Sequence, residues 1–485
     1  MSLYSSCRDT WRPANEGAHD GCKLSLDPLI EDEEFRLQNN NDDGGLSLAK
    51  IKETYFGKFY LRYLKRYRAC RRLSLKVWSL GFRLQRRIKF LSSRVNLAGP
   101  VKSQKMLSLG EYCHLNEIMK ASLVSPASVK TPRPSVYPKV AESLLVSPHK
   151  AYVYPEVFVA ILESAIVAGA TNLVAAGNKM IHHDLFNIDK DYTSEELHSR
   201  IYINTRRAKI FWDRDTEELK IVEKAAVFTD ACAFNYAHWI TEILPRIALF
   251  CREPQYDDIP LIIDASLHEN IMDSLYQIVG DRRKVYVLGV DRALSVKKLY
   301  TVSVTGYVPF QPRKEQVRIH SHGLFSPDAF RCMKANIFCN NKNAPLESWP
   351  ERIFLRRNSD IRCLVNANEI EEFLSSRGYA IVEPEKLSFA QQVLLFSNAK
   401  IIVGSSGAAL ANIVFANENA KIFILMGGYE NTSFWYWQNI ACASGCSVNY
   451  VIGQCTKSDY SGIHSDFIVG MDDLKGVIKD SENTL

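Results

Sequence analysis

No two of the 12 cysteines stand in a CxxC pair, and only Cys442 and Cys446 lie close together, so neither a zinc knuckle nor a dithiol redox centre is indicated. Long apolar runs are missing too. The most apolar stretch, Val153–Ala176, is broken by Pro155, Glu156 and Glu163 and alternates like strands, short of the ~20 uninterrupted apolar residues of a membrane-spanning helix. The N-terminus lacks a basic region followed by an apolar run, so no secretion signal is expected, and the cysteines read as free thiols in a reducing, cytoplasmic compartment. GxGxxG and GxxxxGK[ST] are both absent, which disfavours a dinucleotide cofactor and a nucleoside triphosphatase.

What is present is an ordinary globular composition, 46% hydrophobic and 24% charged, over 485 residues, too long for a single core. Charge is uneven. Between Lys50 and Arg94 stand 15 lysines and arginines against Glu53 alone, although the whole chain is only +6. Residues 1–49 are rich in Asn, Asp, Glu and Ser, including Asn39–Gly45, and read as a disordered tail. Residues 50–98 read as a basic amphipathic helical extension with Tyr55, Phe59, Tyr63, Tyr67 and Trp78 interleaved. Three readings of it stay open: a helix on anionic lipid, a nucleic-acid patch, or a helix packed on the acidic remainder. The aromatics and basic residues together suit a lipid surface best, and nucleic acid is not expected as a partner.

The most telling stretch is Ala399–Met426, where the apolar strand Ile401–Val403 enters the small-residue turn Gly404–Gly407 and then the helix-like Ala408–Phe415. Such a turn can present backbone N–H groups and a helix N-terminus to phosphate, or be an ordinary turn between strand and helix. Strand-like and helix-like segments alternate around it: Arg352–Arg356, Asn368–Arg377, Ala380–Glu383, Phe389–Ser397, Lys421–Met426, Ser433–Ala443 and Val448–Ile452. Alternation at this spacing predicts a parallel sheet, whose ligands sit at the carboxyl ends of the strands. Arg356, Arg357, Glu383 and Gly404–Gly407 all fall there, and a nucleoside diphosphate is the simplest guest. The predicted units are an N-terminal domain over 99–340 with a β-rich lead-in, a ligand-binding domain over 341–470, and a tail at 471–485.

A second constellation is Phe234–Ile247, FNYAHWITEILPRI. His238 and Glu242, four apart, share a helical face that Arg246 continues, with Trp239 turned aside. Such a pair can deprotonate an alcohol, the carboxylate orienting the imidazole, or serve only as a structural hydrogen bond. Pro245 is expected to end or kink this helix. A DRD triplet at Asp213–Asp215 has metal-binding form, but it sits in a charged turn and no metal is expected.

In order and spacing, His238–Ile247, Arg352–Ile370 and Leu387–Ala416 resemble glycosyltransferase family 61, the DUF563-type capsular polysaccharide enzymes, over roughly Tyr154–Val451. The resemblance implies an α/β chain of two Rossmann-like domains, the glycosyltransferase B fold, and inverting, metal-independent transfer from a nucleotide-sugar donor. The acceptor would be a polysaccharide, a glycan or a lipid-linked sugar. No cofactor is implied beyond the donor. His238 and Glu242 would be catalytic; Arg356, Arg357, Glu383, Gly404, Ser405, Ser406, Gly407 and Asn412 would hold the donor; Arg246 and Trp239 would face the acceptor. The chain departs from the family pattern where Ser405 and Ser406 replace a Pro-His pair, and where Asn366–Glu369 replaces Asn-Glu. Without a signal anchor it looks like the bacterial, cytoplasmic kind, peripheral on the inner membrane through Lys50–Arg94. A non-catalytic nucleotide- or sugar-binding scaffold of the same fold is the alternative.

Overall fold

The computed structural model describes residues 103–144, 150–197, 200–212, 219–280, 283–290, 292–313, 323–340, 349–359, 362–429, 435–456 and 465–482. The expected tail at 1–49, the basic segment and Asp213–Asp215 lie outside these residues. Two sheets carry the fold. β1 (Val157–Ala168), β2 (Lys220–Val227), β3 (Leu261–Asp264), β4 (Val285–Leu288) and β5 (Ala293–Val302) belong to an 11-stranded mixed sheet. The run β4-β3-β2-β5 is parallel, as is the pair Ser103–Ser108 with Lys179–His182; β5 meets β1 antiparallel, with Leu299 opposite Leu162.

That mixture departs from the expected Rossmann-like first domain, and short turns account for it. Val174–Ala176 and Lys179–His182 pair antiparallel through Gly177-Asn178, Gly177 taking φ +55° as a two-residue hairpin requires. Parallel neighbours instead need a crossover. α1 (Leu244–Arg252) supplies it between β2 and β3, and α2 (Glu269–Val279) between β3 and β4. α3 (Pro327–Asn340) leads towards the second sheet.

The second sheet follows the predicted alternation closely. β6 (Arg352–Leu355), α4 (Ala367–Ser375), β7 (Ala380–Val382), α5 (Phe389–Asn398), β8 (Ile401–Ser405), β9 (Lys421–Gly428), α6 (Trp435–Ala443) and β10 (Ser447–Cys455) succeed one another. The five strands are parallel and ordered 2-1-3-4-5 by chain position. Connections therefore leave β6 and β8 towards opposite sides, making a switch point between them. A capping box of Ser388 and Gln391 starts α5, their side chains and backbone N–H groups exchanging bonds of 3.3 and 2.9 Å.

Two expectations of organisation change. Ser135–Tyr137, from the N-terminal segment, joins the second sheet parallel to β10, so a division at 340/341 does not separate the sheets. Residues expected as a tail include α7 (Met471–Glu482), whose Leu474, Val477 and Ile478 are buried against that sheet. Among the described residues no helix is long and apolar enough to cross a membrane. Cys113, Cys232 and Cys446 are buried free thiols.

One apolar core unites the halves, running from Phe228, Trp239 and Phe250 through Phe330 to Phe389, Phe415 and Tyr450. Trp239 is 0% exposed and donates its indole N–H to Ser274 on α2 at 2.8 Å. It was expected beside an acceptor and is instead a core anchor. Trp239–Ile243 form a π-helical turn in which the Leu244 N–H reaches the Trp239 carbonyl. Pro245 does not end this helix but opens α1, where a missing N–H costs nothing. Trp239→Ala should therefore cost about 3–5 kcal/mol of stability, measured by denaturant unfolding, with Trp239→Phe much milder.

Candidate active site

At the switch point the carboxyl ends of β6, β7 and β8 open into a cleft of about 390 Å³, within the range of small-molecule sites. Arg356 and Arg357 follow β6 directly and line it, with Ser405, Gly407 and Ala408 across from them. The first half closes the cleft with Phe234, Tyr236 and the start of α2 at His268 and Asn270. The convergence expected for the strand ends is thus present, and it is completed by residues from the other half.

Each donor-side candidate has a definite neighbourhood. Arg356 Nε lies 3.2 Å from Glu371 Oε1, which fixes the guanidinium at the cleft wall. Arg357 Nη2 donates to Ser359 Oγ at 3.2 Å, and its guanidinium fills the space above Gly407, where any side chain would collide with it. Gly407 is thus needed for the approach of Arg357. Burial pulls the Arg357 pKa down, and the neighbouring Arg362 pulls it further. Arg362 is itself depressed by burial, holds φ +56°, and keeps a buried Nε with no hydrogen-bond partner. Two guanidiniums crowded together, one on strained backbone, mark a place prepared for an anion. Arg362 was missed in the sequence, although RRNSDIR shows it five residues beyond Arg357.

Other candidates do not line the cleft. Gly404 lies inside β8, where a Cβ would approach Leu355 to 3.1 Å, so its role is strand packing. The Ser406 hydroxyl accepts from Trp437 Nε1 at 3.1 Å and is turned towards α6. Glu383 is tied to Lys386 and accepts from Asn358 Nδ2 at 2.9 Å, bonds that hold its pKa below the usual value. It orients Asn358, which does line the cleft. Ala408–Phe415 is a 3₁₀ helix rather than an α-helix; its first internal bond runs from the Leu410 N–H to the Gly407 carbonyl, 3.0 Å. Ala408 and Ala409 precede that bond at the cleft wall, so their N–H groups are not used within the helix.

Asn412, expected in the donor site, is 0% exposed and serves as a bridge. Its Oδ1 accepts from the Tyr236 hydroxyl at 2.7 Å, and its Nδ2 donates to Gln392 Oε1 at 2.7 Å. Both partners line the cleft. Neither was singled out from sequence, since a tyrosine and an amide inside apolar helices carry no local signal.

The His238–Glu242 pair is formed. Nδ1 and Oε1 are 2.5 Å apart, the two side chains largely buried, with Phe310 stacked on the imidazole at 5.9 Å. Asn235 caps the turn before it, accepting the Ala237 N–H at 3.0 Å. Tyr236 faces the large cleft, while Glu242 and Arg246 face a smaller cavity of about 30 Å³, room for a water, with Asp230 and His183. Segment 236–242 therefore spans the two. Arg246 is 5% exposed and donates to the Val302 carbonyl at 3.0 Å. Its place is under the pair, in the small cavity. Asp230, also missed in sequence, has its pKa raised by burial and by Glu242. Among the described residues no group of three His, Cys, Asp or Glu is gathered for a metal ion.

The parallel sheet thus turns Arg356, Arg357 and the small-residue loop into the cleft, and the His238–Glu242 pair stands on the segment that leaves the cleft at Tyr236. Residues 236–423 match the model of the family described as Glycosyltransferase 61, from Tyr236 at the cleft to Phe423 in β9. Over that span the chain is similar to glycosyltransferase family 61, which supports a glycosyltransferase domain. No curated protein matches the chain.

Burial lowers the His238 pKa, but the charge and hydrogen bond of Glu242, with the charge of Asp230, outweigh it, and the net direction is up from 6.5. A raised value favours the protonated ring in the folded chain, so its contribution to stability is present below pH 6.5 and lost as pH climbs through the folded value. Titration of isotope-labelled histidine by NMR should place the His238 midpoint above 6.5. Glu242→Gln should lower that midpoint; an unmoved midpoint would remove Glu242 as the cause.

Proposed function

We propose that the chain transfers a sugar from a nucleoside diphosphate donor to a hydroxyl of a glycan, polysaccharide or lipid-linked acceptor, with inversion at the anomeric carbon. The observation that carries this reading is one cleft holding Arg356 and Arg357 against the Gly407 loop, lined also by Tyr236, two residues before His238 of the His238–Glu242 pair. The family match supports the reaction class. The two parallel-stranded regions, with the cleft between them, support the glycosyltransferase B arrangement.

The chemistry follows from the groups present. His238 Nδ1 is held by Glu242, which leaves Nε2 for the acceptor O–H. As the acceptor oxygen bonds to the anomeric carbon, the bond from that carbon to the diphosphate oxygen breaks. The electron pair leaves on the diphosphate, and the proton ends on His238. Arg356, Arg357, Arg362 and the free N–H groups at Ala408 and Ala409 stabilise the departing charge. Glu242 stabilises the imidazolium so formed. The basic segment Lys50–Arg94 would hold the enzyme at an anionic membrane surface, where a lipid-linked acceptor is found.

Replacing Arg356 and Arg357 together by Ala removes charge-assisted hydrogen bonds worth about 1.5–3 kcal/mol each, so nucleoside diphosphate affinity should fall more than about tenfold. Unchanged calorimetric binding would sink the donor assignment. His238→Ala should reduce turnover by about 10² to 10⁴ while leaving donor binding nearly intact, because a base acts on the acceptor. Firm nucleotide binding with no transfer or donor hydrolysis across a panel of nucleotide sugars would favour the scaffold.

A further inference from the structure

The two walls of the large cleft differ in kind. The second half offers charge and hydrogen bonds through Arg356, Arg357, Asn358 and Ser405, whereas the first half offers the aromatic rings of Phe234 and Tyr236. Tyr236 is fixed from behind by Asn412. Phe234 is 69% exposed, and among the described residues it is the one aromatic counted with the large exposed apolar side chains. An isolated exposed apolar side chain needs no explanation on an open surface. This one lines a ligand cleft, on a rigid support. The Cys232 N–H bonds Asp230 Oδ1 at 2.8 Å, the Asn235 N–H bonds the Cys232 carbonyl at 2.9 Å, and Asn235 caps the next turn. The backbone on both sides of Phe234 is fixed, and the ring is presented to the cleft.

A ligand for such a cleft has an anionic part for one wall and a ring for the other. We propose that Phe234 is the stacking platform for the transferred sugar of the donor, its π-face meeting the C–H face of the sugar ring. The choice of the sugar over the nucleobase follows from position. Phe234 stands four residues before His238, and the base must reach the oxygen that attacks the anomeric carbon of that sugar. Aromatic faces carry partial negative charge and attract polarised C–H groups, so a sugar with one apolar face is recognised without charge. Phe234 would thus select the sugar while the arginines hold the diphosphate. The inference rests on the donor-site reading above.

The test measures binding of three probes to the full chain by calorimetry: inorganic diphosphate, a nucleoside diphosphate and the matching nucleotide sugar, from a uridine and guanosine panel. Phe234→Ala should weaken the nucleotide sugar about tenfold and leave the other two unchanged, while Phe234→Trp keeps the affinity. Equal loss for nucleoside diphosphate and nucleotide sugar overturns the sugar assignment in favour of base stacking. No loss for any probe overturns the platform altogether. Failure of the unaltered protein to bind any probe overturns the donor site itself, and is thereby distinct from a failure at Phe234. Because the ring is exposed, the melting temperature of Phe234→Ala should match the unaltered chain, which keeps misfolding apart from lost recognition.

Discussion

The active-site geometry depends on one buried amide. Asn412 has no access to solvent, and an unpaired amide in that position would cost several kcal/mol. Its two hydrogen bonds reach in opposite directions, to Tyr236 of the first half and Gln392 of the second. Gln392 in turn donates to the Leu387 carbonyl at 3.2 Å. The tyrosine that this amide orients lies two residues before His238, so the same bond that satisfies a polar group in the core sets where the catalytic turn stands relative to the arginine wall. Apolar contact between the halves supplies adhesion; the amide supplies register.

A second constraint is electrostatic. The cleft gathers Arg356 and Arg357, with the charge of Arg362 felt by Arg357, while the small cavity gathers Asp230, Glu242 and the buried Arg246. His238 lies at the division. In the proposed transfer, a leaving diphosphate would find positive charge on one side, and the imidazolium formed would find negative charge on the other. Charge separation developing along that reaction would be matched by charge already in place.

Much of the second half was legible in the sequence, because each strand there is a short apolar run buried on both faces and each helix has a clear start, as Ser388 shows. The conjunction of Arg356–Arg357 with the Gly404–Gly407 turn followed from strand direction alone. What escaped were features created by tertiary contact. The π turn at Trp239–Ile243, and the bond that anchors Trp239 to Ser274 in the core, are features no ideal helical period foretells. Asn412 sits in an apolar stretch where an amide looks like a ligand contact until its partners are seen. The antiparallel part of the first sheet, and the helix at Met471–Glu482, follow from pairing and burial decided far along the chain.

The strand Ser135–Tyr137 gives the molecule a property of assembly. Beside it, Gln438 Nε2 donates to the Pro132 carbonyl at 2.5 Å, a bond that spans 306 residues of sequence. The flank of β10 is completed at Asn449–Val451 by a segment made long before it, and at Gln454 and Cys455 by the later Phe467–Ile468. During synthesis that early strand must wait, unpaired, until nearly all of the chain has emerged, so folding is bound to be late and non-local. A fragment beginning after residue 340 would leave the backbone of β10 bare at Asn449–Val451, an invitation to pair with another copy.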